Sequence, residues 1–376
     1  MDVTGERLSA ALEGCRIVLT ADRRTAEITA AFERHGASVM KAPALTIVPH
    51  ADDDTLLART RDLIANPPDV IVATTGIGFR AWMEVADEAG LVHDLERVLA
   101  GARIIARGAK ARGAVQQAGF AVAWVPQTET AAELGDRLVD EGVTGCRVAV
   151  QHHGSGADGL DELFLANGAS VVSLTVYRWG PPADPQAVRA SALAAAAGSV
   201  DAVVFTSGPA AYEWIQSARE CGALDRIRER AGRGELMMAA VGPATAEPLR
   251  DQSVAAYIAE RGRLGSLIRG VVVHLGDGSP RVATAAGELS IRSAGAVIGG
   301  RLVPLSPGGV AVLRVLFEAR GAVVSRRTLL DALPASAPNA HALEMTIARL
   351  REALGAAKLI HTVVKRGYRL DVQEEV

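Results

Sequence analysis

The chain has 376 residues, a formal net charge of -3, and a composition that is 49% hydrophobic but only 4% aromatic. This predicts two or three domains with cores built mainly from Ala, Val, Leu and Ile, and the short, interrupted apolar runs exclude a membrane-spanning helix. With no apolar leader and only the scattered Cys15, Cys146 and Cys221, the expectation is a reduced, cytoplasmic protein without disulfide, metal or cofactor.

From residue 14 onward the chain repeats itself. GCRIVLT at Gly14 returns as GCRVAVQ at Gly145, and HGASV near Gly36 as NGASV near Gly168. DVIVATTGIGFRAW at Asp69 returns as DAVVFTSGPAAYEW at Asp201, and ARGAKARGAV at Ala106 as AVGPATAEPL at Ala240. The four offsets lie between 131 and 134 residues, a single register. Each half reads as strand, helix, strand, strand, helix, strand, helix: short apolar runs bounded by Gly, Thr or charge, with Ala- and Leu-rich helical segments between them. That alternation predicts two parallel-sheet α/β units. Ligands in such units sit on the loops after the strands, here Thr74 to Gly78, Gln151 to Ser155, Thr206 to Pro209 and Gly242 to Thr245. Gly76-x-Gly78 lacks the third glycine of a dinucleotide site. His152 and His153 with Asp158 and Asp161 read either as a metal set or, on the better account, as a loop pair.

The ordered set LTADRRTAEITAAFERHGASVMKAPALTIVP, VIVATTGIGFRAW, the VYR around Tyr177, VVFTSGPAA and AVGPATAEPL resembles uroporphyrinogen-III synthase over residues 14 to 260. The resemblance implies two HemD-like α/β domains joined by paired linkers, with a tetrapyrrole site in the cleft. Residues 1–40 and 178–260 would form one domain, 46–172 the other, and the two GASV-initiated segments would be the crossing linkers. The family's substrate, hydroxymethylbilane, is a linear tetrapyrrole rich in carboxylates. Backbone N–H groups at helix starts, hydroxyls and cations suit it. The candidate ligand residues are therefore Thr75, Gly76, Arg107, Lys110, Arg112, Ser155, Thr206, Ser207, Gly208 and Thr245. Tyr177 matches the family tyrosine proposed to assist hydroxide departure, or else is a linker aromatic packed on Trp179. One departure weighs against an enzyme: where the family has Val-Gly-x-x-Thr-Ala, this chain has Arg107-Gly108-Ala109-Lys110-Ala111-Arg112.

Residues 261–285 read as a linker around a short apolar strand. Short strands follow, and then Ser306 with Pro307 and later Ser325 predict two helix starts, with Gly321 between them. NAHALEMTIARLREAL from Asn339 places Leu343, Ile347, Leu350 and Leu354 on one helical face. LIHTVVKRGYRLDV reads as a hairpin with a cationic turn. This layout is either a winged helix-turn-helix or an ordinary surface helix beside a hairpin. Charge is asymmetric too, with 13 Lys/Arg against 8 Asp/Glu after residue 280 and 27 against 35 before it. The run SRRTLLDAL, LEMTIARLREAL and TVVKRGYRL resembles the DNA-binding domain of OmpR/PhoB-type regulators, which would occupy 286–376.

That resemblance implies a double-stranded DNA partner, with self-association on direct repeats. His341, Thr346 and Arg349 would reach bases or nearby phosphates, and Arg327, Arg351, Lys365, Arg366 and Arg369 would hold phosphates. Ala348 and Val364 stand where the family commonly has basic residues. The fusion resembles actinobacterial regulators of nitrate and nitrite assimilation. The implied function is a transcription regulator whose synthase-like body senses a linear or cyclic tetrapyrrole, a metabolite or a partner. The alternatives are an active uroporphyrinogen-III synthase that also binds DNA, and an enzyme whose tail only mediates protein contacts.

Overall fold

A computed structural model describes residues 8–49, 53–152, 158–333, 339–355 and 359–373. The chain divides into two units, Met1–Leu45 with Pro181–Val376, and Thr46–Gly180. In chain order the first unit opens with β1 (Arg16–Leu19), α1 (Thr25–Glu33) and β2 (Ser38–Lys41). The second unit comprises β3 (Thr46–Pro49), α2 (Asp53–Ala65), β4 (Val70–Ala73), α3 (Gly76–Glu88), α4 (Val92–Gly101), β5 (Arg103–Ala106) and α5 (Ala109–Gln117). It continues through α6 (Ala131–Glu141), β6 (Arg147–His152), α7 (Leu160–Ala166), β7 (Ser170–Thr175) and β8 (Tyr177–Gly180). The first unit resumes with α8 (Pro185–Ala197), β9 (Ala202–Phe205), α9 (Gly208–Glu220), α10 (Leu224–Gly232), β10 (Met237–Ala240), α11 (Pro243–Asp251), β11 (Tyr257–Ile258) and α12 (Leu264–Leu275).

Each unit is built on a parallel sheet, ordered β11-β10-β9-β1-β2 in the first and β5-β4-β6-β7 in the second. The central strands VIVA (β4), AVVF (β9) and MMAA (β10) are buried at every position, as strands covered on both faces must be. The internal repeat has a physical core. Trp82 and Trp214 are fully buried, and each indole N–H finds a hydroxyl on the preceding helix: Thr60 Oγ1 at 3.0 Å and Ser191 Oγ at 2.8 Å. A ring of that size contributes much of the core energy only if its N–H is satisfied.

Three sequence expectations change. The GASV-initiated segments are linkers only in their second halves: Ser38–Lys41 and Ser170–Thr175 are edge strands paired to β1 and β6, while Thr46–Pro49 and Tyr177–Gly180 pair as the antiparallel ribbon of β3 with β8. Each half also carries more helices than read: α4, α5 and α6 in the first, α10 and α11 in the second. Residues 264–275 form a helix instead of a strand within a linker, because Leu264, Leu267, Ile268, Val271, Val272 and Leu275 recur at helical spacing. Burial of Leu267 and Val271 against β1 and β10 residues outweighs the β preference of the Val run.

The C-terminal part of the first unit begins with an antiparallel meander, β12 (Val282–Thr284), β13 (Gly287–Arg292), β14 (Gly295–Ile298) and β15 (Arg301–Pro304). It continues with α13 (Pro307–Glu318), α14 (Arg326–Asp331), α15 (Ala340–Ala353), and the hairpin β16 (Ile360–Val363) and β17 (Gly367–Leu370). Ser306 caps α13 by accepting from Gly309 N at 3.2 Å, and Ser325 caps α14 by accepting from Thr328 N at 3.1 Å. Leu313, Leu316, Leu329, Leu343, Ile347 and Leu350 share one buried core with Leu289, Tyr368 and Leu370.

Candidate nucleic-acid interface and ligand loops

Asn339 starts α15 by accepting the Ala342 N–H at 2.7 Å, and Leu343, Ile347 and Leu350 bury one face. The opposite stripe, His341, Met345, Ala348, Arg349 and Glu352, is exposed. The wing hairpin is sewn to the segment before α14 by Tyr368 N to Val324 O at 3.0 Å and Val324 N to Tyr368 O at 2.8 Å. Gly367 is required there: its φ is +140°, and a β-carbon would run into the Val324 carbonyl. Lys365, with φ +60°, turns the chain at the tip, beside Val364 at 78% exposure.

The proposed DNA residues divide by what they already hold. Arg351 donates to Ile360 O at 3.0 Å and Thr362 Oγ1 at 2.8 Å and lies 5.9 Å over Tyr368, so it braces helix against wing. Thr346 spends its hydroxyl on Ala342 O at 2.8 Å. Arg326, not singled out from sequence, pairs with Glu344 at 3.3 Å and lies 5.7 Å from the Tyr368 ring. Arg327, Arg349, Lys365, Arg366 and Arg369 are exposed, and among the described residues their side chains make no hydrogen bond or ion pair. These five cations and His341 are the groups a polyanion can engage without breaking an internal contact.

At the carboxyl edge of each parallel sheet, two helix N-termini come together. In the first unit Ser207 caps α9 by accepting from Ala210 N at 3.4 Å, and Gly242 precedes α11. Gly208 lets the two approach, since a β-carbon there would stand 3.0 Å from Ala244 O. Thr245 is buried and Thr206 half-buried beside them. The second unit has the same device: Thr75 caps α3 by accepting from Gly78 N at 3.1 Å, and Gly76 packs on the Lys110 carbonyl at the start of α5. Helix starts side by side aim their N–H groups at one space, a setting that favours anions, and the start of α11 has no side-chain cap.

The second unit's rim is more heavily charged. Arg107 is half-buried, and burial lowers its pKa while Tyr177, Asp158 and Glu129 act against that shift. Lys110 and Arg112 are exposed. Tyr177 is buried and donates to Thr75 Oγ1 at 3.4 Å. Ser155 lies outside the described residues.

Glu129 was not singled out from sequence, and Gln151 and His152 were placed on a ligand loop without the partners they meet. The Glu129 carboxylate accepts from Ala109 N at 3.1 Å and so occupies the start of α5. Gln151, fully buried, accepts from Thr75 N at 3.3 Å. His152, 2% exposed, has Nδ1 3.0 Å from Asp158 and Nε2 2.9 Å from Asp161. Burial pulls this imidazole's pKa down, but the two carboxylates more than offset it and carry it up to about 9. Both ring nitrogens are therefore committed to carboxylates. The sequence signal was Asp158 and Asp161 near the strand end, but nothing local said which histidine they face.

Residues 26–269 match the family profile of uroporphyrinogen-III synthase HemD. The chain belongs to the HemD family. A separate profile, transcriptional regulatory protein, C terminal, matches residues 300–370. Among solved structures, a mutant uroporphyrinogen III synthase of the extremely thermophilic bacterium Thermus thermophilus is similar at 28% identity and a TM-score of 0.57, over 68% of this chain and 97% of that one. The DNA-binding domain of Escherichia coli CadC is similar at 29% identity over 25% of this chain and 95% of that one, with a TM-score of 0.22. An uncharacterized protein of Bacillus subtilis strain 168, YjjA, is 27% identical over 262 residues, 68% of this chain and 94% of its own. The chain thus joins a HemD body to an OmpR/PhoB-type DNA-binding domain, the composition of a transcription regulator acting on double-stranded DNA. Among the described residues, no helix is long and apolar enough to cross a membrane.

Proposed function

We propose that this HemD-family protein regulates transcription by binding DNA through α15 and the wing, while its synthase-like body binds a carboxylate-rich tetrapyrrole as effector. The observation that carries the reading is the division of cations in the C-terminal domain. Arg351 and Arg326 brace the fold, whereas Arg327, Arg349, Lys365, Arg366 and Arg369 are left unengaged on an exposed surface. Arg349 sits mid-stripe on α15 and is the base-reading candidate; the wing cations serve phosphates. In the body, the paired helix starts at Thr75 and Gly108, and at Ser207 and Gly242, offer N–H groups to carboxylates, with Arg107, Lys110 and Arg112 adding charge. Target genes in nitrate and nitrite assimilation would fit, because sirohaem for nitrite reduction derives from uroporphyrinogen III. Two copies on direct repeats are the expected arrangement on DNA.

The buried phenol of Tyr177 beside Thr75 favours a second reading, a working synthase that also binds DNA. One assay separates the two. Hydroxymethylbilane is given to the purified protein, and uroporphyrinogen III is resolved from the spontaneously formed I isomer. Sensing alone predicts isomer I only, with hydroxymethylbilane or uroporphyrinogen III still shifting the protein's thermal midpoint. Isomer III well above the protein-free control, and lowered by Tyr177→Phe, would instead establish the enzyme.

A further inference from the structure

Asp201 opens β9 at the amino edge of the first unit's sheet, the edge opposite the ligand loops. Its counterpart in the repeat is Asp69, which opens β4. Both perform one shared task. Asp201 N donates to Arg16 O at 2.8 Å and its Oδ2 accepts from Arg16 N at 2.8 Å, while Asp69 N donates to Arg147 O at 2.9 Å and its Oδ2 accepts from Arg147 N at 2.7 Å. In each case the carboxylate aligns the start of the neighbouring strand.

Only Asp201 does more. Its Oδ1 accepts from Ser293 N at 2.8 Å, and its Oδ2 also accepts from the Ser293 hydroxyl. Ser293 lies in the β13–β14 turn of the DNA-binding domain. The next residue, Ala294, donates its N–H to Gly14 O at 3.1 Å, and Leu302 of β15 packs against Gly14, whose φ is +78°. Asp201 and Ser293 are 7% and 9% exposed, whereas Asp69 is exposed. On the same side, α13 brings Arg314 and Glu318 into electrostatic reach of Arg230 and Glu235.

We propose that Asp201 is the positioning residue of the DNA-binding domain, a strand-start carboxylate recruited to lock the β13–β14 turn onto the body's sheet. The lock ties the domain that carries α15 to the starts of β1 and β9, and the far end of β9, at Thr206 to Gly208, carries a candidate ligand loop. Docked and released arrangements of the turn then become the two states through which body and DNA-binding domain influence one another, with equal effect in both directions. This consequence rests on the DNA-binding reading; the docking itself does not.

The test uses the full-length protein without DNA, by hydrogen exchange with mass spectrometry. A buried charged hydrogen bond supports local protection by about tenfold or more. Asp201→Asn and Ser293→Ala should therefore speed exchange in the β13–β14 turn, Asp201→Asn by about tenfold or more and Ser293→Ala by less, while α15 and the β16–β17 hairpin stay within about twofold of wild type. Ser293→Thr, which keeps both donors, should match wild type. Asp69→Asn should loosen β6 and leave the β13–β14 turn unchanged. If Asp201→Asn disrupts the first unit, Ser293→Ala still decides, because it leaves the Arg16 contact intact. Unchanged exchange in the turn, or acceleration spread equally across α13, α14 and α15, would overturn the assignment. If the wild-type protein binds no duplex DNA while the turn still releases as described in the variants, the regulator reading fails and the docking stands.

Discussion

The two halves of the HemD body are two solutions to one packing problem, and they agree where they are buried. Trp82 with Thr60 and Trp214 with Ser191 repeat the same indole-to-hydroxyl contact. Gly76 and Gly208 repeat the same close approach of two helix starts. Their rims differ. One half presents Thr206, Ser207 and Thr245; the other presents Arg107, Lys110 and Arg112, with Glu129 laid across the start of α5. A close-packed interior tolerates little change in volume or hydrogen bonding, whereas a solvated loop can exchange a hydroxyl for a cation at small cost. Chemistry therefore has to be read at the rims.

The comparison breaks first, if it breaks, at the tryptophans. Trp82→Ala and Trp214→Ala should each destabilise their own unit by about 3–5 kcal/mol, measured by denaturant unfolding. A loss below about 1 kcal/mol at either would mean that the halves do not share a core. Next is pH, which should act on the second half. The His152 pKa stands near 9 when folded against 6.5 as the ordinary value, so its contribution is complete below about pH 6.5. That contribution, on the order of 3 kcal/mol, is lost as pH rises through about 9. His152→Gln should flatten the stability profile of this unit between those limits, and a profile as steep as wild type would remove the ion-paired histidine from the account.

Smaller effects sharpen the contrast between bracing and unengaged cations. Arg349→Ala should weaken DNA binding by about 1–3 kcal/mol and relax base preference, read by gel shift against a sequence selected from a random duplex library. Lys365→Ala should weaken binding evenly across sequences and reduce the salt slope by about 0.9. Arg351→Ala should lower the C-terminal domain's thermal midpoint as well as its affinity. Lower affinity with unchanged stability would mean that its contacts to Ile360 and Thr362 are not structural.

Much of this was legible because the signals are local or periodic. The strands VIVA and AVVF, the caps at Ser306 and Ser325, and the 131–134 residue register all stand in short stretches of sequence. What was not legible depends on partners far along the chain. Three consecutive valines suggest a strand, and only burial against β1 and β10 makes Val271 and Val272 helical. Arg351 looks like any basic residue on α15 until Ile360 and Thr362 claim it. Nor does an aspartate at a strand start announce that a serine 92 residues later will bind it. The site was legible as loops and not as roles, because periodicity places a residue on an edge without saying what faces it.

The strand order of the first unit also bears on how the protein emerges from synthesis. β1 lies between β2 and β9, with Val18 set beside Val203, so the first strand made has one long-range neighbour that is produced much later. The four parallel strands of the second unit, by contrast, all fall between Val70 and Thr175. That unit can close its sheet while the first still waits with an open edge on β1. Contacts of such sequence separation form slowly, and an unpaired parallel strand is an invitation to misassociation. The DNA-binding domain, docked on the starts of β1 and β9, comes last in this order: its seat exists only after both strands have met.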